Sequence, residues 1–185
     1  LQSDYIGPKF SATLLSSSIL AIVVAMGLIL VYVWIRFRFA YAVSSLIALV
    51  HDILMMLTAI SILRLEFSST TIAALLTIIG YSLNNTIVIF DRVRENVTLN
   101  KSASLAKQID LSVTQSVSRT VMSAVTTLVA ILPLAIFASG DIQLFAINMI
   151  FGLLFGTYSS NFLAPSMLYW ISKAQKKQGT VVAAK

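Results

Sequence analysis

The chain has 185 residues, of which 58% are hydrophobic and 11% are charged, and its mean hydropathy is +0.91. Soluble domains are about one quarter charged, so this composition excludes an ordinary soluble domain and indicates a polytopic membrane protein. The absence of cysteine and the single histidine exclude a disulfide framework, a thiolate metal site and a histidine-rich metal centre. The 13 basic residues lie in the gaps between apolar runs and are not gathered in one patch with interleaved aromatic residues, so we expect no nucleic-acid partner.

Five apolar segments follow one another along the chain, and each is long enough to cross a bilayer, which takes about 20 helical residues. They cover residues 12–34, 40–63, 70–90, 120–138 and 142–171. Lipid offers no partner for backbone polar groups, so these segments must be helices, and they are far longer than the strands of a membrane barrel. The sequence therefore predicts an all-α fold, a polytopic membrane bundle of five transmembrane helices.

The remaining segments define the expected domain organisation. We expect a lead-in outside the cytoplasm over residues 1–11, the transmembrane domain over residues 12–171 and a basic cytoplasmic tail over residues 172–185. The chain begins at Leu1 without a methionine and shows no signal peptide, which indicates a fragment or a processed chain. Residues 91–118 are the one substantial segment outside the bilayer, with apolar residues spaced loosely enough for an amphipathic surface helix.

Lysine and arginine are distributed unevenly between the two sides of the predicted bundle. All but two of the 13 lie in the gaps after the first and third spans or in the tail, and the other side holds only Lys9 and Arg64. Cytoplasmic loops are enriched in these residues, so we expect the beginning of the chain outside and Lys185 in the cytoplasm. The gaps on the outer side are too short for a folded domain.

The second span carries His51 and Asp52 about 12 residues from its start, near the middle of a bilayer at 1.5 Å per residue. Asp52 is the only carboxyl group at this depth. Two interpretations are open: a titratable site or anchor that pairs with a polar helix, and a protonated packing residue that never changes state. His51 is a candidate for proton handling, although its ring could equally bond a neighbouring carbonyl.

The third span carries two adjacent amides, Asn84 and Asn85, inside an apolar run. Polar groups within a membrane helix are costly unless they face protein or water, so we expect both amides to face protein. Gly80 shares their side at helical spacing, which indicates close approach of another helix. Hydrogen bonding between helices would explain Asn84. Asn85 can orient water or a partner but cannot take up a proton near neutral pH.

Polar residues also mark the inner end of the third span and the fourth span. The third span ends in a charged cluster, residues 91–95 with Asp91, Arg92 and Glu95, that we expect to be solvated at the cytoplasmic surface, and Asn96 follows it. In the fourth span Arg119 begins a polar stripe at a depth similar to that of Asn85, so the two side chains could meet or share waters, unless Arg119 extends to the headgroups. In the fifth span Gly152 and Gly156 indicate close helix contact.

The segment from Gly80 to Asn96 closely resembles the signature of the SecD/SecF family of protein-export membrane subunits, and within it the SecF branch. Other stretches resemble further motifs of that family: Ile6-Gly7-Pro8, Ala48-Leu49-Val50-His51-Asp52 and Ser118-Arg119-Thr120. Family members have six spans, with a domain outside the cytoplasm between the first and second. The resemblance implies that this chain supplies the last five of these six spans. It also implies that the six spans together resemble one half of an RND transporter.

The resemblance also implies a function. Members of the SecF branch pair with the similar SecD and help the Sec channel to export preproteins across the bacterial cytoplasmic membrane, using the proton gradient. The implied partners are a SecD-like subunit, the Sec translocon, a preprotein and membrane lipid. No cofactor and no enzymatic reaction is implied, and the sequence has neither a metal-ligand cluster nor a convincing nucleophile and base pair.

One position departs from the family pattern. The carboxylate implicated in proton coupling matches Asn85, and the arginine that accompanies it matches Arg119. Three explanations are open: an engineered substitution, an acid supplied by the partner subunit, and a subunit that works without proton flux. Our hypothesis is that Asn85 and Arg119 line a polar, hydrated path between the third and fourth spans, while Asp52 stabilises the helix packing nearby. The alternatives are a structural or assembly subunit and half of an RND-type efflux transporter.

Overall fold

The computed structural model describes residues 8–182, which form helices joined by short connections. The helices are α1 (Pro8–Arg36), α2 (Phe39–Ile62), α3 (Ser69–Leu99), α4 (Leu105–Phe137), α5 (Asp141–Tyr158), a π-helix (Ser159–Leu163) and α6 (Ala164–Val182). No strand occurs between residues 8 and 182, so the predicted all-α fold is confirmed.

Five helical stretches are long and apolar enough to cross a membrane, which confirms the predicted number of spans. They are Ser16–Arg36, Phe39–Ile62, Ser69–Leu99, Leu105–Phe137 and Asp141–Gln175. The fifth combines α5, the π-helix and most of α6 into one continuous span. Of the expected lead-in, residues 1–7 lie outside the described residues and Pro8 already begins α1. The expected tail continues α6 up to Val182, and residues 183–185 also lie outside the description.

Residues 91–118 do not form a separate surface helix, so this prediction from the sequence is wrong. α3 continues past the apolar run to Leu99, and α4 begins at Leu105, so the two helices form an antiparallel hairpin. Ser104 caps α4 by accepting a hydrogen bond from the Lys107 backbone N–H. Gln108 Nε2 donates to the Asn100 carbonyl at 2.6 Å across the turn. Of the apolar residues of this segment, Val93 and Ile109 are buried in the core, whereas Leu99 and Leu111 are exposed.

α3 lies at the centre of the bundle, packed against α4 and α5, whereas α1 lies at the edge against α2. Two apolar clusters fill the interior. One contains Leu49, Phe90 and Leu168, and the other contains Met56, Ile78 and Leu153. Along α2, Asp52 lies between Leu49 and Met56, so a polar layer separates the two clusters. Burying a large apolar side chain contributes about 1.5–3 kcal/mol, and these clusters hold the layer in place.

Gly152 and Gly156 make the close helix contacts that their spacing predicts. A Cβ atom on Gly152 would lie 2.8 Å from Ile78 Cδ1 and 2.9 Å from Met56 Sδ, and one on Gly156 would lie 3.1 Å from Ser82 Cβ. Gly80 differs, because a Cβ atom there would meet no atom within 4 Å. Among residues 8–182, therefore, no helix approaches Gly80 closely, contrary to the prediction.

The π-helix lies immediately before Pro165, which explains its position. Proline has no backbone N–H and its ring crowds the carbonyl four residues earlier, here that of Asn161. The Ala164 N–H bonds the Ser159 carbonyl, five residues back, and so absorbs the irregularity within one widened turn. As a result Ser159, Ser160 and Asn161 are all buried at the centre of the bundle.

Candidate functional site

The polar layer is centred on Asp52, whose side chain is 1% exposed. Ser82 Oγ of α3 donates to Asp52 Oδ2 at 2.5 Å, and Ser159 Oγ of the π-helix donates to the same oxygen at 2.8 Å. His51 Nδ1 lies 3.2 Å from the other oxygen, Oδ1. The carboxyl group therefore joins α2, α3 and the last span. We name Asp52, His51, Ser82 and Ser159 the Asp52 cluster.

Each residue of the first π-helical turn bonds a different helix. Ser159 bonds Asp52 of α2, Ser160 Oγ donates to the Ser82 carbonyl of α3 at 3.0 Å, and Asn161 Oδ1 accepts from Thr120 Oγ1 of α4 at 3.0 Å. Sequence reasoning missed these residues. The available signal was a run of three polar residues, 159–161, in the middle of an apolar span.

Ser160 extends the polar layer towards the third-span amides. Thr86 Oγ1 donates to Ser160 Oγ at 3.0 Å, and Thr86 directly follows Asn85 in α3. Asn85 is 2% exposed and so faces protein, as its polarity predicts. Its Nδ2 has no hydrogen-bond partner among the protein atoms described. An unpaired buried donor costs about 1–3 kcal/mol, and a single buried water can satisfy it.

Asn84 differs from Asn85, because its side chain is exposed on the outer surface of α3. Thr77 and Gly80 are exposed on the same helix at spacings of three and four, and Thr126 of α4 is exposed as well. The prediction that both amides face protein therefore holds within this chain for Asn85 alone. We name these exposed residues of α3 and α4, Thr77, Gly80, Asn84, Arg119 and Thr126, the outer polar face.

Arg119 is exposed and lines an open cavity of about 670 Å³ at the charged end of α3 and α4. The residues that share this cavity include Val88, Asp91, Glu95 and Gln115, and Asn85 is not one of them. The structure thus brings Arg119 together with the charged cluster of the signature. It does not bring Arg119 into hydrogen-bonding contact with Asn85.

The charged cluster has a structural role as well as a solvated surface. Arg92 Nε donates to Gln115 Oε1 of α4 at 2.6 Å, and Asn96 Nδ2 donates to Ser112 Oγ at 2.8 Å. Asn96 is 3% exposed, so this contact is buried. Asp91 and Glu95 remain exposed, which agrees with the expected solvated cluster. Arg92 and Asn96 therefore fasten the hairpin of α3 and α4.

The remaining chemistry of the described residues is limited. No group of three or more histidine, aspartate or glutamate side chains that could hold a metal ion occurs among them. The polar atoms of the interior are amide and hydroxyl groups together with one imidazole and one carboxyl group, His51 and Asp52. Such a set can orient water and exchange protons.

Comparisons with known proteins agree with this architecture. The family model described as "Protein export membrane protein SecD/SecF, C-terminal" matches residues 1–174. Protein translocase subunit SecF of Cereibacter sphaeroides is 40% identical over 97% of this chain, and protein translocase subunit SecDF of Thermus thermophilus is 39% identical over 96%. The match covers 57% of the former relative and 24% of the latter, so the chain spans about half the length of the SecF relative.

Solved structures give the same result. A crystal structure of SecDF from Thermus thermophilus, described as a translocon-associated membrane protein, matches 90% of this chain with a TM-score of 0.85 and 40% sequence identity. A second SecDF structure, in a "Super-membrane-facing form", matches 95% of the chain with the same TM-score. Each match covers 23% of the SecDF chain. With the family model matching almost the whole sequence, the chain belongs to the SecD/SecF family as a multi-pass membrane protein of its C-terminal, SecF-like part.

Proposed function

We propose that this chain is the C-terminal membrane part of an accessory subunit of the Sec protein-translocation machinery. The observation that carries the proposal is the 40% identity to a protein translocase subunit SecF over 97% of the chain. The match of the helix bundle to SecDF at a TM-score of 0.85 supports it. The substrate is then an unfolded preprotein, and the subunit assists its movement without performing an enzymatic reaction of its own.

The outer polar face is the proposed contact with a SecD-like subunit. Its members are exposed in this chain although polar and small residues on membrane helices are costly against lipid and favour helix contact. A second bundle of similar shape could approach closely at Gly80, where a Cβ atom would meet nothing within 4 Å. Asn84 and Arg119 would then find polar partners on the opposite helices.

The proposed topology follows the distribution of charge. The ends of α1 and α3, the start of α4 and the end of α6 carry most of the basic residues, and Arg64 marks the opposite end of the bundle. The positive-inside rule places the former end in the cytoplasm of a bacterium and the Arg64 end outside. Residues 1–11 then lie outside and residues 172–185 lie in the cytoplasm.

Coupling to the proton gradient is the proposed energy source. The acidic group that binds the proton is then not the residue at position 85. Asn85 is buried and can orient a water, but its amide does not titrate near neutral pH. A carboxyl group supplied by the SecD-like partner at the outer polar face, beside Arg119, would restore a titratable pair. An assembly subunit without proton flux is the second candidate, and the amide at position 85 favours it.

Complementation tests the proposal. The full-length protein is produced in cells depleted of their own SecF, and export of a secreted preprotein is measured with and without a protonophore. We expect export to recover several-fold, and recovery to fall when the protonophore is added. No recovery would contradict the proposed function. Recovery that is insensitive to the protonophore would favour the assembly subunit, and altered drug accumulation without export would favour an efflux half.

A further inference from the structure

The Asp52 cluster holds the only ionisable acid and base within the apolar stretches of the five spans. Residues 10–35, 67–90, 120–140 and 142–172 contain no Asp, Glu, Lys, Arg or His, and residues 39–63 contain only His51 and Asp52. Asn85, the buried amide of the third span, cannot take up a proton near neutral pH. A proton-binding step inside this chain therefore has one place to occur.

The hydrogen bonds of the cluster accommodate both protonation states of Asp52. Ser159 Oγ lies 2.8 Å from Asp52 Oδ2 and 3.2 Å from the Gly156 carbonyl, and Ser82 Oγ lies 2.5 Å from Oδ2 and 3.5 Å from Ser160 Oγ. A hydroxyl has one proton to donate. When Asp52 is charged, both hydroxyls donate to it. When Asp52 is protonated, it donates to one hydroxyl, which turns to its second acceptor.

This adaptability separates the cluster from an ordinary packing contact. A carboxyl group that never changes state needs one hydrogen-bond arrangement, whereas here neither state leaves a buried donor without an acceptor. The hydrogen bonds of the cluster are therefore compatible with a group that changes its protonation state.

His51 connects the cluster to the surface of the chain. Its side chain is 29% exposed, its Nδ1 lies 3.2 Å from Asp52 Oδ1, and its ring centroid lies 6.3 Å from that of the exposed Tyr158. Imidazole exchanges protons near neutral pH. Among the members of the cluster, His51 is therefore the one that a proton donor outside this chain, on a partner subunit at this depth, could reach.

The groups that face Asp52 from the surrounding helices are otherwise uncharged. α3 contributes Ser82 and the π-helix contributes Ser159, while on α5 a Cβ atom at Gly156 would lie 3.8 Å from Asp52 Oδ2. In the described parts of α1 and α6, the charged side chains Arg36 and Lys173 lie at the charged end of the bundle, away from this depth. Only His51 would therefore perturb the charge of Asp52 directly.

We propose that Asp52 is a proton-binding site of this chain, loaded through His51 and held by Ser82 and Ser159. The proton passes from the His51 imidazolium to the Asp52 carboxylate, leaving a neutral imidazole and a neutral carboxyl group. The ligand is a proton and not a metal ion, since the hydroxyls lie directly on the carboxylate oxygen and leave no centre for a coordinated cation. A role in driving export rests on the proposed function, whereas proton binding does not.

Infrared absorption of protonated carboxyl groups tests this proposal on the full-length protein with its partner subunit in lipid vesicles. As the pH falls, wild type should gain a carboxyl absorption that Asp52→Asn lacks. Ser159→Ala removes one donor to the charged form, so the midpoint of this change should move to higher pH. Ser166→Ala is the matched control, because Ser166 is an exposed serine that bonds only the Phe162 carbonyl, and its midpoint should stay unchanged.

Three results would overturn the proposal. In the first, the absorption difference between wild type and Asp52→Asn is independent of pH. In the second, the Ser159→Ala midpoint equals that of Ser166→Ala. In the third, the carboxyl absorption changes when Na⁺ is replaced at fixed pH and ionic strength. Should Asp52→Asn not assemble, the shift between the two serine variants decides alone. Export is measured separately in the same cells: loss of export complementation with an intact titration contradicts the proposed function and leaves the proton site standing.

Discussion

The Asp52 cluster and the outer polar face are both polar regions of membrane helices, yet their surroundings are opposite. Asp52 is 1% exposed and is hydrogen-bonded to α3 and to the π-helix. Asn84 is exposed, and its side chain makes no hydrogen bond to another helix among residues 8–182. The first region satisfies its polar groups internally. The second leaves them open to another molecule. The comparison teaches that polarity within a span identifies a site, while burial decides whether the site serves the fold or a partner.

Substitutions at Gly152 and at Gly27 should give the largest contrast in the stability of the bundle. Gly152→Leu should destabilise the bundle by about 1–3 kcal/mol or more, because its side chain would overlap Ile78 and Met56. Gly27→Leu is the matched control, since a Cβ atom there meets nothing within 4 Å. Thermal unfolding of the purified full-length protein measures both. Equal unfolding temperatures for the two variants would show that the interior is not closely packed at Gly152.

Asp52→Ala should be the next largest effect. The substitution removes the acceptor that the Ser82 and Ser159 hydroxyls share, and two lost hydrogen bonds at about 0.5–1.5 kcal/mol each should together cost about 1–3 kcal/mol. Asp52→Asn keeps an acceptor oxygen and should lose less. The same unfolding measurement applies, and an Asp52→Ala protein as stable as wild type would mean that the cluster does not hold the helices together.

Asn96→Ala tests the fastening of the hairpin. The buried contact with Ser112 is lost, and we expect a destabilisation of about 0.5–1.5 kcal/mol. Thr98→Ala is the control, since Thr98 is exposed and bonds only its own helix. Protease cleavage between Asn100 and Ser104 should accelerate in Asn96→Ala alone. Equal cleavage rates would argue against a role for Asn96 in closing the hairpin.

Asn84→Leu should change stability least and pairing most. Its side chain is exposed in this chain, so its replacement by leucine should shift the free energy of unfolding by no more than about 0.5 kcal/mol. Pairing with a SecD-like subunit should fall several-fold, since the polar contact at the interface is lost. Equal losses of stability and pairing would indicate that Asn84 belongs to the fold and not to an interface.

The sequence predicts the five spans because each is a long apolar run, and it predicts the contacts at Gly152 and Gly156 because small residues recur at helical spacing. The ends of α3 and α4 were not predictable in the same way. Beyond the apolar run, the polar residues of these helices predict a surface segment. Only the contacts of Arg92 and Asn96 in the structure show that the segment is a hairpin.

The site was predicted in part. The depth of Asp52 and the burial of Asn85 follow from the cost of polar groups in lipid. Adjacent residues of a helix point about 100° apart, so the sequence alone could not assign Asn84 to the outside and Asn85 to the inside. Ser159 and Ser160 were missed because serine is common in membrane helices. Their role arises from the π-helix at Pro165 and from helices more than 70 residues away in sequence.

The most direct test of the distinction between the two regions is the amount of SecD-like subunit that co-purifies with the full-length protein from membranes. Asn84→Leu is compared with Thr58→Leu, which replaces an exposed polar residue of α2 outside the outer polar face. We predict a several-fold loss of the partner for Asn84→Leu and wild-type recovery for Thr58→Leu, at equal expression. Wild-type recovery for both variants, or equal loss for both, would contradict the assignment of the outer polar face to the partner.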